Sequence, residues 1–96
     1  MAEQERKVVL ARIHGRVQGV WYRGWTVDTA IAFGLDGWVR NRSDGTVEAL
    51  FAGPAEVVDR MIDACRKGPP AAIVHDIALE PAKDPGSLPF EQRSTA

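Results

Sequence analysis

A nine-residue stretch, GRVQGVWYR at residues 15–23, combines residue types that proteins use to hold an anion. Gly15 and Gly19 are four positions apart, so the backbone between them can adopt positive φ and turn its N–H groups toward one point. Arg23 closes the stretch with a permanently charged, forked donor that suits a phosphate or a carboxylate. The spacing therefore predicts an anion-binding loop.

Other phosphate and nucleophile motifs do not fit this stretch. The ATP-binding loop GxxxxGK fails because the glycines are too close and no lysine follows Gly19, and the dinucleotide motif GxGxxG fails as well. A thiol phosphatase would carry cysteine in the loop, whereas the single cysteine, Cys65, has the spacing of a helix core residue. No carboxylate pair or His/Cys cluster with metal-ligand spacing lies near the loop, so neither a metal nor a cofactor is expected.

Composition restricts the classes of partner. The chain has 96 residues with 45% hydrophobic content, which predicts a single domain over residues 1–96 with flexible ends at 1–6 and 94–96. Twelve basic and thirteen acidic residues leave a formal net charge of -1, so no general field favours nucleic acid. No apolar run approaches the roughly 20 residues of a membrane span. Any anion must therefore be captured locally.

The expected compartment follows from the termini and the cysteine count. The N-terminus, MAEQERKVVL, is acidic and polar and does not resemble a signal peptide. One cysteine cannot form an internal disulfide. We therefore expect a cytoplasmic location. The protein is separately expected to be a monomer.

Hydrophobic periodicity predicts alternating strands and helices. Val9, Ala11 and Ile13 alternate along a strand at residues 7–14, and a helix at about residues 22–33 follows the loop. Asp44-Gly45 is a turn signal that predicts a hairpin of strands at residues 35–41 and 46–52. Gly53-Pro54 then opens a second helix. A strand is predicted at residues 71–79, and a possible edge strand lies within residues 88–93.

The apolar positions predict which helix faces are buried. Val27, Ala30 and Ile31 share one face of the first helix, and Val58, Met61 and Cys65 share one face of the second. In the last long strand, alternation would place His75 among apolar residues unless a bulge intervenes.

The element order is strand, helix, strand, strand, helix, strand. This βαββαβ order is the split βαβ or ferredoxin-like plan, an α+β sandwich with two helices on one face of a four- to five-stranded, mainly antiparallel sheet. In that plan the first two strands run the same way with another strand between them. Their C-terminal ends then lie together, which places Asn41 beside the glycine loop and beside the positive end of the first helix.

At this point the sequence resembles a known family. GRVQGVWYR, followed by GLDGWVRNRSDGTVEALFAG and KGPPAAIV, closely resembles the acylphosphatases across nearly the whole chain. The family motifs are a GRVQGV loop ending in Phe/Tyr-Arg and a GWVRN strand leading into a DG-x-VE hairpin. Trp21 and Tyr22 stand where smaller Gly or Phe is often found in the family, and the tail beyond Leu79 matches weakly.

The resemblance implies a ferredoxin-like fold and hydrolysis of carboxyl-phosphate anhydrides to a carboxylate and inorganic phosphate, without a metal and without a phosphoenzyme. Arg23 matches the phosphate-binding arginine, and Asn41 matches the asparagine that orients water. An acyl phosphate is then the substrate, and inorganic phosphate or sulfate is expected as a ligand. The other predicted phosphate-binding positions are the loop residues Gly15, Arg16, Val17, Gln18, Gly19 and Val20.

Alternatives remain at this stage. Arg23 alone could be a solvated surface charge, and Asn41 alone could be a hairpin turn residue. A domain that binds an acyl phosphate such as carbamoyl phosphate without hydrolysing it would carry the same loop. An RNA-recognition domain shares the strand order, but the third strand offers only Phe51 for stacking. His14 and His75 are expected to be structural or surface residues, because neither has a partner that suggests a triad or a metal site.

Overall fold

The structure, a computed structural model, describes residues 5–96. Residues 1–4, which belong to the predicted flexible N-terminal end, lie outside the described residues. The elements follow the predicted order, and their bounds are β1 (Arg6–Arg16), α1 (Tyr22–Ala32), β2 (Asp36–Asn41), β3 (Val47–Pro54), α2 (Ala55–Cys65), β4 (Ile73–Pro81) and β5 (Glu91–Gln92).

The five strands form one sheet in the order β4-β1-β3-β2-β5. β1 and β2 both pair antiparallel with β3, so they run in the same direction, and β5 joins β2 in parallel. Val47 lies opposite both Ile13 and Asn41 in the register, which sets the ends of β1 and β2 level with each other. This confirms the ferredoxin-like prediction, including its fifth strand.

The core lies between the sheet and the two helices. Val9, Ala11 and Ile13 of β1 are all buried, as their alternation predicted. In α2 the predicted face is buried as well, and its Met61 is fully enclosed. Phe51 of β3 stacks on Phe90 with ring centroids 5.5 Å apart, and this contact packs the segment before β5 onto the sheet.

The predicted face of helix α1 is only partly buried, with Ala30 buried and Val27 packed against the core. Tyr22, Thr26 and Ala30 point into the core, whereas Ile31 is 58% exposed. The Tyr22 hydroxyl donates to the Cys65 carbonyl at 2.6 Å, and this buried anchor sets the rotation of the helix. Thr26 tolerates burial because its hydroxyl donates to the Tyr22 carbonyl at 2.8 Å.

Both helices are short. Each contains 11 residues, and no helix within residues 5–96 is long and apolar enough to cross a membrane.

The β1–β4 pairing contains the irregularity that alternation required. His14 lies opposite Asp76 and Gly15 lies opposite Val74, so the register shifts across His75. The shift turns Val74 and Ile77 toward the core and leaves His75 exposed. Gly15 is needed here because its φ is 133° and because a Cβ atom would collide with the carbonyl oxygen of Ile73.

Candidate active site

A cavity of about 210 Å³ lies where the β1–α1 loop meets the end of β2. The predicted residues Arg23 and Asn41 both line it, although they are distant in sequence. The complete lining consists of Val17, Gly19, Trp21, Tyr22, Arg23, Gly24, Asn41 and Gln92. We call this cavity the loop pocket.

The backbone of the loop turns sharply before α1. Gly19 has a φ of 74°, and a Cβ atom there would meet nothing within 4 Å, so the conformation and not space favours glycine. Trp21 follows with φ 67° and ψ 22°, the left-handed region, which costs a non-glycine residue about 1–2 kcal/mol. Among residues 5–96, Trp21 is the one non-glycine residue with positive φ.

Helix α1 begins at the loop pocket with open backbone donors. Trp21 is the N-cap residue and provides no side-chain hydrogen bond to the first turn, which also contains no acidic residue. The first N–H groups of a helix have no partner within the helix, and the helix dipole adds a positive partial charge there. The start of α1 therefore suits an anion.

Arg23 places a full positive charge in the same pocket. Its side chain is partly buried, and it forms no hydrogen bond or ion pair with any residue from 5 to 96. Several other arginines are paired, and Arg6, for example, contacts Asp84 at 2.7 Å and Asp36 at 3.0 Å. The guanidinium of Arg23 is therefore available to a ligand.

Asn41 contributes an acceptor with no protein partner. Its side-chain Oδ1 is buried and accepts no hydrogen bond from the described part of the chain. An unsatisfied buried acceptor costs about 1–3 kcal/mol, so a group of this kind calls for a functional explanation. A water molecule that donates to Oδ1 would satisfy the atom.

Gln18 connects the loop to the β2–β3 turn. Its Nε2 donates to the carbonyl of Arg42 at 2.8 Å and to the carbonyl of Thr46 at 2.9 Å. Asp44 stabilises the same turn, since its Oδ1 accepts from the Thr46 backbone N–H at 2.9 Å. The side chain of Gln18 thus holds the loop in place, and only its backbone is left to serve the predicted anion binding.

The remaining predicted loop residues take different positions. Val17 is buried in the core and also lines the loop pocket. Val20 packs against the core, and Arg16 is exposed at the end of β1. Gly15, Arg16, Gln18 and Val20 do not line the loop pocket. Their part in phosphate binding stays a prediction.

Sequence reasoning did not include four residues of the lining. The predicted set of site residues does not contain Trp21, Tyr22, Gly24 or Gln92. Gln92 reaches the pocket because β5 pairs with β2, where Gln92 lies opposite Val39. A two-residue strand has no periodicity from which this placement could be read.

A second cavity, of about 270 Å³, lies on the opposite face of the sheet and contains His14. Buried Glu48 there contacts Arg40 at 2.8 Å and Arg12 at 3.4 Å. Burial alone would raise the pKa of Glu48, but these ion pairs outweigh it and hold the pKa below its ordinary value. Glu48 thus offsets part of the charge of these arginines, and His14 does not line the loop pocket.

Cys65 lies in the core, where its thiol cannot serve as a nucleophile. Its thiol is fully buried against the core, and burial raises its pKa to about 12. Residues 5–96 contain no group of three or more His, Cys, Asp or Glu side chains that could hold a metal ion.

Alkylation of Cys65 provides a first test. The folded protein should react with iodoacetamide at least roughly 100-fold more slowly than the same chain in guanidinium chloride, because opening of the core must come first. Mass spectrometry of the labelled protein measures the rate, and circular dichroism monitors the fold. Rapid labelling of the folded chain that abolished activity would contradict the placement.

Comparison with known proteins agrees with the family resemblance of the sequence. The sequence model of the acylphosphatase family matches residues 9–91. A protein from Rhodospirillum rubrum named acylphosphatase is 59% identical over 87 residues, which are 91% of this chain and 96% of that protein. The match to the family model and the match to this relative both extend over most of the chain.

Solved structures show the same architecture. The structure of an acylphosphatase from Coxiella burnetii superposes with a TM-score of 0.88 at 27% identity and covers 97% of this chain and 100% of that chain. The crystal structure of the acylphosphatase from Bacillus subtilis gives a TM-score of 0.86 at 32% identity and covers 93% of this chain and 99% of that chain.

Proposed function

This chain belongs to the acylphosphatase family, whose enzymes are hydrolases acting on acid anhydrides, and we propose that it cleaves the carboxyl-phosphate bond of acyl phosphates within the loop pocket. The observation that carries the proposed site is that Arg23 and Asn41 line one cavity, and that neither the Arg23 guanidinium nor the buried Asn41 Oδ1 has a partner among residues 5–96. The first would bind the phosphoryl group and the second would hold the attacking water.

Arg23 and the start of α1 supply the binding energy for the phosphoryl group. The guanidinium can donate two parallel N–H groups to two phosphoryl oxygens. The open N–H groups of the first helical turn can donate to the third oxygen. These donors are held by a helix and a braced loop, so they stabilise negative charge on the phosphoryl oxygens without rearranging during the reaction.

Asn41 would position the water without activating it as a base. Its amide cannot accept a proton at neutral pH, but its Oδ1 can accept a hydrogen bond from water. The other titratable group of the lining besides Arg23 is Tyr22, whose hydroxyl is bound to the Cys65 carbonyl and whose pKa is raised by burial. The proton of the water would therefore pass to the substrate phosphate.

The leaving group is compatible with this simple site. A carboxylate is stable at neutral pH, so its departure needs no proton from the enzyme. Catalysis then rests on orientation and on charge stabilisation, which the lining residues can provide. We also propose that the protein acts as a monomer on a small-molecule substrate. The buried free thiol suits a reducing compartment, and we propose the cytoplasm.

Metal removal tests the proposal. Hydrolysis of acetyl phosphate should continue at an unchanged rate in excess EDTA, because the loop pocket is lined by no carboxylate or imidazole that could hold a divalent ion. Release of inorganic phosphate measures the rate, and added inorganic phosphate should inhibit competitively. Activity that disappears in EDTA and returns with a divalent ion would contradict the mechanism. Tight binding of acetyl phosphate without release would identify a non-hydrolytic binding module.

A further inference from the structure

Trp21 is a side chain of the loop pocket that phosphate binding does not use. It lines the cavity with Arg23 and Asn41, and its side chain is 63% exposed. The other large apolar side chains of the lining, Val17 and Tyr22, are each 1% exposed and face the core. The indole is therefore the one large apolar surface that the described lining offers to a ligand.

The position of the indole is built into the start of α1. The left-handed conformation of Trp21 directs the chain into the helix. Gly24 leaves room for the ring, because a Cβ atom at Gly24 would collide with Nε1 and Cδ1 of the indole. The ring thus lies against Gly24 in the first helical turn. An exposed tryptophan fixed in this way has little conformational freedom to lose when it binds a flat apolar group.

The chemistry of the substrate supplies such a group. An acyl phosphate has two parts, and the donors of Arg23 and of α1 suit the phosphoryl part. The acyl part must leave on the side of phosphorus opposite the attacking water, and it carries the hydrocarbon of the substrate. An aromatic ring interacts with an indole by offset stacking or edge-to-face contact, whereas a methyl group buries much less area.

We propose that Trp21 is the contact for the acyl group and that it makes the protein prefer acyl phosphates with an aromatic or similarly broad apolar acyl group. This inference rests on the proposed function, because it names the substrate class of the same pocket.

The test compares benzoyl phosphate with acetyl phosphate in the parent protein and in Trp21→Ala. The ratio of their kcat/KM values should fall by about 10-fold in the variant, which is the scale of one aromatic stacking contact. Comparing the same two substrates in both proteins cancels their different intrinsic reactivity. Trp21→Phe keeps an aromatic face and should retain most of the preference.

Phe33→Ala is the matched control, because Phe33 is an exposed aromatic residue at the other end of α1. It should leave the ratio unchanged. A ratio that is equal in the parent and in folded Trp21→Ala would overturn the inference about Trp21, while hydrolysis of acetyl phosphate by the parent would leave the proposed function standing. A parent protein that hydrolyses neither compound would overturn both.

Discussion

Replacing Arg23 with lysine is expected to lower kcat/KM for acetyl phosphate by roughly 1000-fold, near the lower end of what arginine contacts to a transferred phosphoryl group contribute. Lysine keeps the positive charge but loses the planar fork that donates to two oxygens at once. Inorganic phosphate should also inhibit the variant poorly. Steady-state kinetics and the inhibition constant of phosphate measure both effects.

The fold of the Arg23→Lys variant should be unchanged, because the side chain of Arg23 makes no ion pair or hydrogen bond with residues 5–96. Thermal unfolding should confirm this before the kinetics are interpreted. Arg66→Lys is a suitable control, since Arg66 is exposed at the end of α2. If phosphate inhibited Arg23→Lys as strongly as the parent, Arg23 would not be the phosphate-binding residue.

The second large effect is expected at Asn41. Asn41→Ala should lower kcat by about 100-fold or more, the scale observed when one positioned polar group is removed from an active site. Inhibition by inorganic phosphate should change little, because the proposed role of Asn41 concerns the water. Binding and turnover would then separate, and kinetics with a phosphate titration would reveal the separation.

Stability gives an additional readout for the same variant. The parent holds Asn41 Oδ1 buried without a protein partner, so truncation removes an unsatisfied acceptor. The free energy of unfolding should therefore stay within about 1 kcal/mol of the parent value or increase. The backbone carbonyl of Asn41, which accepts from the Ala96 N–H at 3.1 Å, is still present.

Asn41→Asp is the informative companion to this variant. It keeps the shape of the side chain but places a negative charge in the pocket that is proposed to bind phosphate, so phosphate affinity should fall together with turnover. A folded Asn41→Ala protein that hydrolyses acetyl phosphate within threefold of the parent rate would leave the mechanism without its positioned water.

Most of the fold could be predicted from hydrophobic patterns that repeat along the chain. Val9, Ala11 and Ile13 alternate, and Val58, Met61 and Cys65 recur at helical spacing, and all six are buried as predicted. The prediction for α1 is right at Ala30 and Val27 but wrong at Ile31, which is exposed. The helix instead turns Tyr22 inward, where its hydroxyl donates to the Cys65 carbonyl. Periodicity cannot weigh one such anchor against several weakly apolar positions.

The location of the candidate site could be predicted from the sequence, but the contacts of its side chains could not. The βαββαβ order is sufficient to bring Asn41 and Arg23 to one edge of the sheet, and they do line one cavity. The double hydrogen bond of Gln18 depends on how the hairpin turn lies over the loop, and no local pattern encodes that distance. The unsatisfied state of Asn41 Oδ1 is likewise a property of its surroundings and not of its residue type.

The two hydrogen bonds of Gln18 have a consequence for the thermodynamics of substrate capture. They join the segment that would bind the phosphate to the turn that follows Asn41, so the two sides of the loop pocket are ordered when the protein folds. Substrate association then removes little backbone entropy, and more of the interaction energy remains as affinity. A domain of this size can therefore position its reactants through contacts that form when the chain folds.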